Sequence, residues 1–177
     1  MRAPRLMEGE RILLRQPVEA DAAHLFREYA SSPEVVRYLT WRVHTDVADT
    51  RAFLGAANDG WARGVEFIWV IQRNDEDWPA GAISARPGSH GVELGYVLGP
   101  RLWGQGLMVD AVQLVSDWSL DHPMVYRVWA YCDVDNRPSM RVLEKAGFVW
   151  EGTLRRWAQH PNVSPSPRDA EVYSRVR

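Results

Sequence analysis

A glycine-rich turn between a strand-like run and a helical segment restricts the fold of this chain more than any other feature. Residues 94–98 form an apolar, β-prone run, Gly104 and Gly106 follow, and apolar residues then recur at helical spacing from Leu107 to Trp118. Glycine lets the backbone pass close to a ligand, and the free N–H groups that begin a helix favour an anion such as pyrophosphate. The pattern predicts a strand, a phosphate-binding loop and a helix, although an ordinary tight turn also fits a Gly-x-Gly pair.

The composition favours one globular domain. The chain has 177 residues, of which 46% are hydrophobic, so it can bury a sizeable core, and we expect a single domain over residues 1–177. Charges of both signs are interspersed and the net charge is −2, so no nucleic-acid partner is predicted. No apolar run is long enough for a signal peptide or a membrane span, so we expect a soluble, cytoplasmic protein with no membrane partner.

Cysteine and histidine usage argues against a metal site. A lone cysteine, Cys132, excludes an intramolecular disulfide and a multi-cysteine zinc site, and the five histidines show no metal-ligand spacing. No histidine lies beside Cys132 in sequence, so a small buried hydrophobe is favoured over a nucleophile. Asn162-Val-Ser164 matches a glycosylation acceptor, which has no meaning without secretion.

Seven β-prone runs alternate with four to five helical segments. Turn clusters separate three of the runs, which predicts an antiparallel meander over residues 66–98. The predicted strands are residues 11–16, 66–72, 80–85, 92–98, 126–134, 148–154 and 170–176. The predicted helical segments are residues 21–29, a short turn at 31–39, a helix capped by Thr45 or Asp46, and helices at 107–121 and 137–146.

Two segments, Arg101-Leu-Trp-Gly-Gln-Gly106 and Asn136 to Phe148, together resemble the GNAT superfamily of acetyl-CoA-dependent N-acetyltransferases. The first is similar to the acetyl-CoA signature Gln/Arg-x-x-Gly-x-Gly/Ala, and the second to the segment Asn-x-x-Ser…Glu-Lys-x-Gly-Phe. Further similar segments place the chain near the ribosomal-protein N-terminal acetyltransferases: residues 12–15, 32–39, 93–96, 148–152 and 169–173. The resemblance implies an α+β, three-layer fold. Its mixed, mostly antiparallel seven-stranded sheet splays between the fourth and fifth strands, with acetyl-CoA in the opening.

The binding site for acetyl-CoA, the acetyl donor, is expected around this opening, and we call it the donor site. Backbone N–H groups from Leu102 to Leu107 are expected to bind the pyrophosphate, and the Arg101 side chain to add a charged contact. The splayed strand offers backbone groups to the pantetheine arm and an N–H for the oxyanion, and the resemblance adds two residues of the second segment. The expected donor residues are Tyr96, Val97, Leu98, Arg101, Leu102, Trp103, Gly104, Gln105, Gly106, Leu107, Asn136 and Ser139.

Acetyl transfer from a thioester requires a proton for the departing thiolate. The resemblance places Ser139 near the sulfur, which makes it the leading general-acid candidate, with Tyr131, Tyr96 and Tyr173 as alternatives. A serine three residues after Asn136 also fits a simple helix cap.

The attacking amine must be neutral, so the site also requires a base. Glu93 lies on the strand that leads to the loop, where many family members keep an acid, although a solvated carboxylate is the alternative. Glu151 is a second candidate. Some relatives place an acid in the segment that corresponds to residues 157–159, and this chain has none there.

Aromatic and histidine side chains flank the expected acceptor site. Trp41, His44 and Trp157, together with Glu93, are the candidates for acceptor binding. For the tryptophans core packing is an equal alternative, and for His44 and His160 a solvated loop position is favoured.

These features predict an N-acetyltransferase in which an amine attacks acetyl-CoA directly. The branch resemblance implies a peptide or ribosomal-protein N-terminus as the acceptor. Two alternatives stay open: a polyamine or antibiotic acetyltransferase, and an acetyl-CoA-binding sensor with little turnover. The sequence fits a monomer or a homodimer.

Overall fold

The computed structural model, which describes residues 1–177, contains eight strands and four α-helices. The strands are β1 (Leu6–Glu8), β2 (Ile12–Arg15), β3 (Phe67–Arg73), β4 (Gly81–Gly88), β5 (Gly91–Leu98), β6 (Arg127–Asp133), β7 (Val149–Ala158) and β8 (Arg168–Val176). The helices are α1 (Ala22–Leu25), α2 (Val47–Arg63), α3 (Leu107–Asp121) and α4 (Arg137–Lys145). A 3₁₀ turn (Glu19–Asp21) precedes α1, and a π-helical turn (Phe26–Ala30) follows it.

The strands form one mixed sheet in the order β1-β2-β3-β4-β5-β6-β8-β7. All neighbours are antiparallel except β5 and β6, which are parallel and pair only at Val92–Val128 and Glu93–Trp129. Beyond Glu93 the two strands have no residue pairs, so the sheet opens there. This confirms the splay expected between the fourth and fifth predicted strands, which are β5 and β6 in the structure.

Successive side chains of β5 point to opposite faces of the sheet, and the helices that they contact identify each face. Val92, Leu94 and Leu98 are buried in the same core cluster as residues of α3 and α4. Val97 faces the other way and packs beside residues of α1 and α2. We call these the α3/α4 face and the α1/α2 face. The register places Glu93 and Trp129 together on the α1/α2 face, and Tyr131 follows on the same side of β6.

The structure adds one strand to the seven predicted from the sequence. Strand β1 has three residues, too few to show a period, and it is held by pairing with β2. Residues 31–39 form hydrogen-bonded turns, as the short turn predicted there, with Val36 N–H donating to the Ser32 carbonyl at 3.1 Å. None of the helices is long and apolar enough to cross a membrane.

Candidate active site

A cavity of about 530 Å³ lies where β5 and β6 separate. Its walls come from β5, the turn before α3, the first turn of α3, the length of α4 with its N-cap Asn136, and the segment around residues 34–39. Ten of the predicted donor residues line it: Tyr96, Val97, Leu98, Leu102, Trp103, Gly104, Gly106, Leu107, Asn136 and Ser139. The two signature segments, which are far apart in the chain, therefore contribute to the same cavity.

The glycine loop has the backbone geometry of an anion-binding turn. Gly104 and Gly106 have φ values of +74° and +80°, in the left-handed region that favours glycine. Gly106 is the N-cap of α3 and no side chain caps the helix, so the first N–H groups of α3 have no capping partner from a side chain. A Cβ at position 104 would meet nothing within 4 Å, which leaves open space in front of the loop. Free N–H groups, the helix dipole and this space together fit a phosphate.

Arg11 supports this loop from outside the cavity, and the sequence analysis missed it. Its Nη1 donates to the Gln105 carbonyl at 2.8 Å, and its Nε donates to Asp110 at 2.8 Å. The guanidinium thus ties the glycine turn to the first turn of α3. The partners lie 94 and 99 residues from Arg11 in sequence, so no local pattern marks this contact.

Replacing Arg11 with alanine is expected to raise the Kd for acetyl-CoA about three- to tenfold. The reason is that the Gln105 carbonyl loses a charge-assisted hydrogen bond and the loop loses its external support. Calorimetric titration measures the effect. Arg51→Ala is the matched control, because Arg51 has only a 4.0 Å contact with Glu19. Equal affinities for acetyl-CoA in the wild type, Arg11→Ala and Arg51→Ala would contradict the role of Arg11.

Arg101 and Gln105 are the predicted donor residues that do not line the cavity. The Arg101 guanidinium donates to Glu28 at 2.7 Å and to both carboxylate oxygens of Glu76 at 2.6 and 2.7 Å. The Gln105 side chain donates back to the Arg101 carbonyl at 2.9 Å. These contacts brace the loop, and the expected contact of Arg101 with the pyrophosphate stays a prediction.

The cations that line the cavity come from other elements. Arg37 lies in the segment after α1, and Arg141 and Lys145 lie on α4. Glu34 is the acid among the lining residues. The positive side chains exceed the negative one, which suits a ligand with phosphate groups.

Ser139 and Tyr96 form a hydroxyl pair at the cavity wall. The Tyr96 hydroxyl lies 2.8 Å from Ser139 Oγ and 3.2 Å from the Ser139 carbonyl oxygen. Asn136 is the N-cap of α4, and its Oδ1 accepts from the Ser139 N–H at 3.3 Å. Asn136 therefore caps the helix, which leaves the Ser139 hydroxyl to Tyr96 and the cavity and overturns the helix-cap alternative for Ser139.

Burial raises the pKa of the titratable side chains around this pair. Burial raises the pKa of Tyr96, so its hydroxyl stays protonated at neutral pH. Burial raises the pKa of Cys132 to about 12, which agrees with a small buried hydrophobe rather than a nucleophile. Burial and the nearby Glu144 raise the pKa of Tyr173 to about 12, and its hydroxyl lies 3.3 Å from Glu144 Oε1. Of the candidate hydroxyls, Ser139 and Tyr96 line the cavity, whereas Tyr131 and Tyr173 do not.

Glu93 lies on the α1/α2 face, across β5 from this hydroxyl pair. The Arg86 guanidinium lies 3.3 Å from Glu93 and 3.1 Å from Glu66, so one cation bridges two carboxylates. Tyr131 faces the same group: burial raises its pKa, and the charge of Glu93 raises it further. A Cβ at Gly95 would lie 3.1 Å from Arg86 Nη2, so glycine there makes room for the guanidinium.

Aromatic groups border both sides of this face. Trp41 lies 4.8 Å from His44 and 6.4 Å from Phe53, between ring centroids, and packs beside the α1–α2 cluster. Burial lowers the pKa of His44, and its Nδ1 lies 2.8 Å from the Thr50 hydroxyl. Across the opening, Trp157 packs edge-on against Tyr131 at 6.3 Å. The predicted acceptor residues therefore lie on the α1/α2 face, on opposite sides of the opening.

His160 is buried, whereas a solvated position was favoured from the sequence. It is 2% exposed, and its Nε2 lies 3.7 Å from Asp133 Oδ2 on β6. Arg168 donates to the same oxygen at 2.5 Å. Its position shows that the loop from residue 159 to 167 folds back onto the α1/α2 face of β6.

Glu151, the second carboxylate candidate, has a structural role. Hydrogen bonds from Arg127 and Ser174 lower its pKa to about 2. The Ser174 hydroxyl donates to Oε1 at 2.6 Å, and Arg127 forms two hydrogen bonds to the same carboxylate. A carboxylate with so low a pKa is a poor proton acceptor at neutral pH.

The low pKa of Glu151 predicts a pH-dependent contribution to stability. Because the pKa of Glu151 is about 2 in the folded protein and 4.5 for an ordinary glutamate, its contribution to stability is complete above about pH 4.5 and is lost as the pH falls towards 2. Urea unfolding of the wild type and Glu151→Gln at several pH values measures it. We expect the difference between the two free energies of unfolding to be constant above pH 4.5 and to shrink below it. A difference that stays the same down to pH 2 would contradict the assignment.

Comparisons with known proteins place this arrangement in a family. The model of the acetyltransferase (GNAT) domain matches residues 11–149. The uncharacterized N-acetyltransferase p20 of Bacillus licheniformis is 31% identical over 149 residues, which cover 82% of this chain and 83% of that protein. The chain therefore belongs to the GNAT acetyltransferase family. It is an N-acetyltransferase, an enzyme of the acyltransferase class.

Solved structures agree on the fold. The microcin C7 self-immunity acetyltransferase MccE, solved with acetyl-CoA and AMP, superposes with a TM-score of 0.84 at 22% identity, over 96% of this chain and 94% of that one. RimL, a ribosomal alpha-N-protein acetyltransferase solved with coenzyme A, has a TM-score of 0.84 at 21% identity, over 97% of each chain. The α+β GNAT fold expected from the sequence is confirmed, with eight strands in place of seven.

Proposed function

We propose that this enzyme transfers the acetyl group of acetyl-CoA to the terminal amine of a peptide or protein, by direct attack in a ternary complex. The observation that carries the proposal is the arrangement about β5. The Tyr96–Ser139 hydroxyl pair lies on one face of the strand and the Glu93 carboxylate on the other, and the strand has lost its β6 partner between them. A thioester in the opening is then accessible to a proton donor from one side and to an amine from the other.

Acetyl-CoA, the acetyl donor, is held mainly by backbone groups and by the positive side chains that line the cavity. The N–H groups at the beginning of α3 bind the pyrophosphate, and Arg37, Arg141 and Lys145 are positioned for further phosphate contacts. The pantetheine arm follows the unpaired edge of β5, towards Asn136 and Ser139. Holding the thioester in place accounts for a large part of the rate enhancement in such a site.

The reaction proceeds through a tetrahedral intermediate. The amine nitrogen forms a bond to the thioester carbonyl carbon, and a β5 backbone N–H stabilises the oxyanion. The C–S bond then breaks, and the departing thiolate takes a proton from the Ser139 hydroxyl, which Tyr96 supports at 2.8 Å. The nitrogen loses its extra proton to Glu93, directly or through water. Glu93 then releases this proton to solvent and Ser139 regains one from solvent, so both groups return to their starting states.

The acceptor region suits an amine with a single positive charge. Glu66 and Glu93 carry two negative charges and Arg86 cancels one, so the group attracts one ammonium but not a dense polycation. A trough of about 950 Å³ is lined by Trp129, whose partner on β5 is Glu93, and by Trp157. It is large enough for residues that follow a peptide N-terminus. The fold shared with RimL also supports a peptide acceptor.

An acceptor panel tests the proposal. Thiol release from acetyl-CoA is measured with short peptides of varied first residue, with spermidine and with small monoamines, and products are checked by mass for one added acetyl group. We expect kcat/KM to be highest for peptides and to fall in Glu93→Gln. A preference for spermidine or a small amine would replace the peptide assignment, and tight acetyl-CoA binding without turnover would favour a sensor.

A further inference from the structure

Asn162 joins two segments that are distant in the sequence. Its Nδ2 donates to the Val36 carbonyl at 2.8 Å and to the Trp41 carbonyl at 2.7 Å. Its Oδ1 accepts from the Val43 N–H at 3.3 Å. The amide thus uses both of its N–H groups and its oxygen to connect the β7–β8 loop, residues 159–167, to the α1–α2 segment, residues 31–46.

The α1–α2 segment borders both substrate regions. Val35 and Tyr38 are among the residues that line the donor cavity. Trp41 and His44, a few residues further on, lie among the aromatic side chains of the α1/α2 face. The hydrogen bonds from Asn162 fix the segment between its residues at the donor cavity and its aromatic residues on the α1/α2 face.

The β7–β8 loop is fixed at its other side by the sheet. His160 is buried beside Asp133 on β6, and its carbonyl accepts from the Val163 and Ser164 N–H groups at 2.8 and 3.0 Å. Trp157, which precedes the loop, packs against Tyr131. The loop therefore begins on the β6 side of the opening, and Asn162 carries it to the side formed by Trp41 and His44.

We propose that Asn162 is a positioning residue for the acceptor, and this inference rests on the proposed peptide acetyltransferase function. By joining the β7–β8 loop to the α1–α2 segment, Asn162 forms a bridge at the opening and sets the spacing of Trp41 and Trp157, between which the first residues of the peptide bind. Without the bridge the two sides separate, and the peptide loses a fixed binding surface. The thioester and the hydroxyl pair are held by other elements, so the chemical step is unaffected.

The test compares Asn162→Ala and Asn162→Asp with the wild type. Alanine removes all three hydrogen bonds. Aspartate keeps an oxygen for the Val43 N–H but loses both donors to the Val36 and Trp41 carbonyls. Ser164→Ala is the matched control, since the Ser164 hydroxyl contacts only the Ser166 N–H within the same loop, at 3.1 Å.

Initial rates are measured with a peptide acceptor and with a small monoamine that is too short to reach the bridge. In both Asn162 variants we expect the KM for the peptide to rise about tenfold or more. The kcat and the KM for the small amine should stay at wild-type values. Hydrogen exchange of the Val43 amide should become faster in Asn162→Ala and stay unchanged in Ser164→Ala.

The outcomes separate this inference from the proposed function. Wild-type turnover of the peptide with an unchanged peptide KM in both Asn162 variants would overturn the positioning role alone. A uniform loss of kcat for every acceptor, with unchanged KM values, would indicate misfolding and also overturn it. A wild-type enzyme with no turnover of any peptide would overturn the proposed function, and the inference with it.

Discussion

Replacing Ser139 with alanine is expected to lower kcat about a hundredfold while leaving the Kd for acetyl-CoA nearly unchanged. The Ser139 hydroxyl is 2.8 Å from the Tyr96 hydroxyl at the wall of the donor cavity, so alanine removes the group that protonates the thiolate. The donor keeps its backbone contacts to the loop before α3. Stopped-flow measurement of the acetyl-transfer step, alongside calorimetric titration of acetyl-CoA, tests both parts.

Tyr173→Phe is the matched control for this experiment. It removes a buried tyrosine hydroxyl that lies 3.3 Å from Glu144, and we expect no change in kcat. The kcat of Tyr96→Phe should lie between those of Ser139→Ala and Tyr173→Phe, because Ser139 then keeps its own proton but loses its hydrogen-bond partner. A Ser139→Ala enzyme as fast as the wild type would remove Ser139 from the mechanism and leave Tyr96 as the proton donor.

Replacing Gly104 with alanine is expected to raise the Kd for acetyl-CoA about ten- to a hundredfold. Gly104 has a φ of +74°, and a Cβ there projects into the open space in front of the loop. Alanine therefore tends to rotate the N–H groups away from the phosphate and occupies part of its space. Calorimetric titration of acetyl-CoA measures the loss.

Gly64→Ala controls for the cost of the backbone conformation. Gly64 has a φ of +68° with nothing within 4 Å of the added Cβ, but it ends α2, and it does not line the donor cavity. Both variants should lose about 1–2 kcal/mol of unfolding free energy, and only Gly104→Ala should lose affinity for acetyl-CoA. Equal affinities in the two variants would show that the glycine loop does not bind the donor.

Local patterns predicted most of the fold. Apolar spacing indicated the last two long helices, and the structure ends α3 at Asp121 and α4 at Lys145, close to the predicted ends. Asp46 caps α2 by accepting from the Ala48 N–H at 2.7 Å, one of the two caps proposed. Strand β1 was missed because its three residues are held by pairing with β2 and not by a pattern of their own.

The residues that line the cavity were easier to predict than those that support the glycine loop. Gly104 and Gly106 are recognisable because their conformation requires glycine, and most of the predicted residues line the same cavity. The contacts of Arg101 were not predicted because Glu28 and Glu76, which bind its guanidinium, are 73 and 25 residues away in sequence. Side-chain contacts at such separations depend on the assembled sheet, and one sequence does not reveal them.

The same reason explains why Asn162 went unnoticed. In the sequence it stands out only as part of an Asn-Val-Ser match, whereas in the structure its partners lie 119 to 126 residues away.

A matrix of initial rates tests most directly whether acetyl passes straight from acetyl-CoA to an amine across β5. Thiol release is measured while the concentrations of acetyl-CoA and of the best peptide acceptor are varied independently. Direct attack in a ternary complex predicts double-reciprocal lines that intersect. Parallel lines, together with an acetylated enzyme formed in the absence of acceptor, would show transfer through a covalent intermediate and contradict the account.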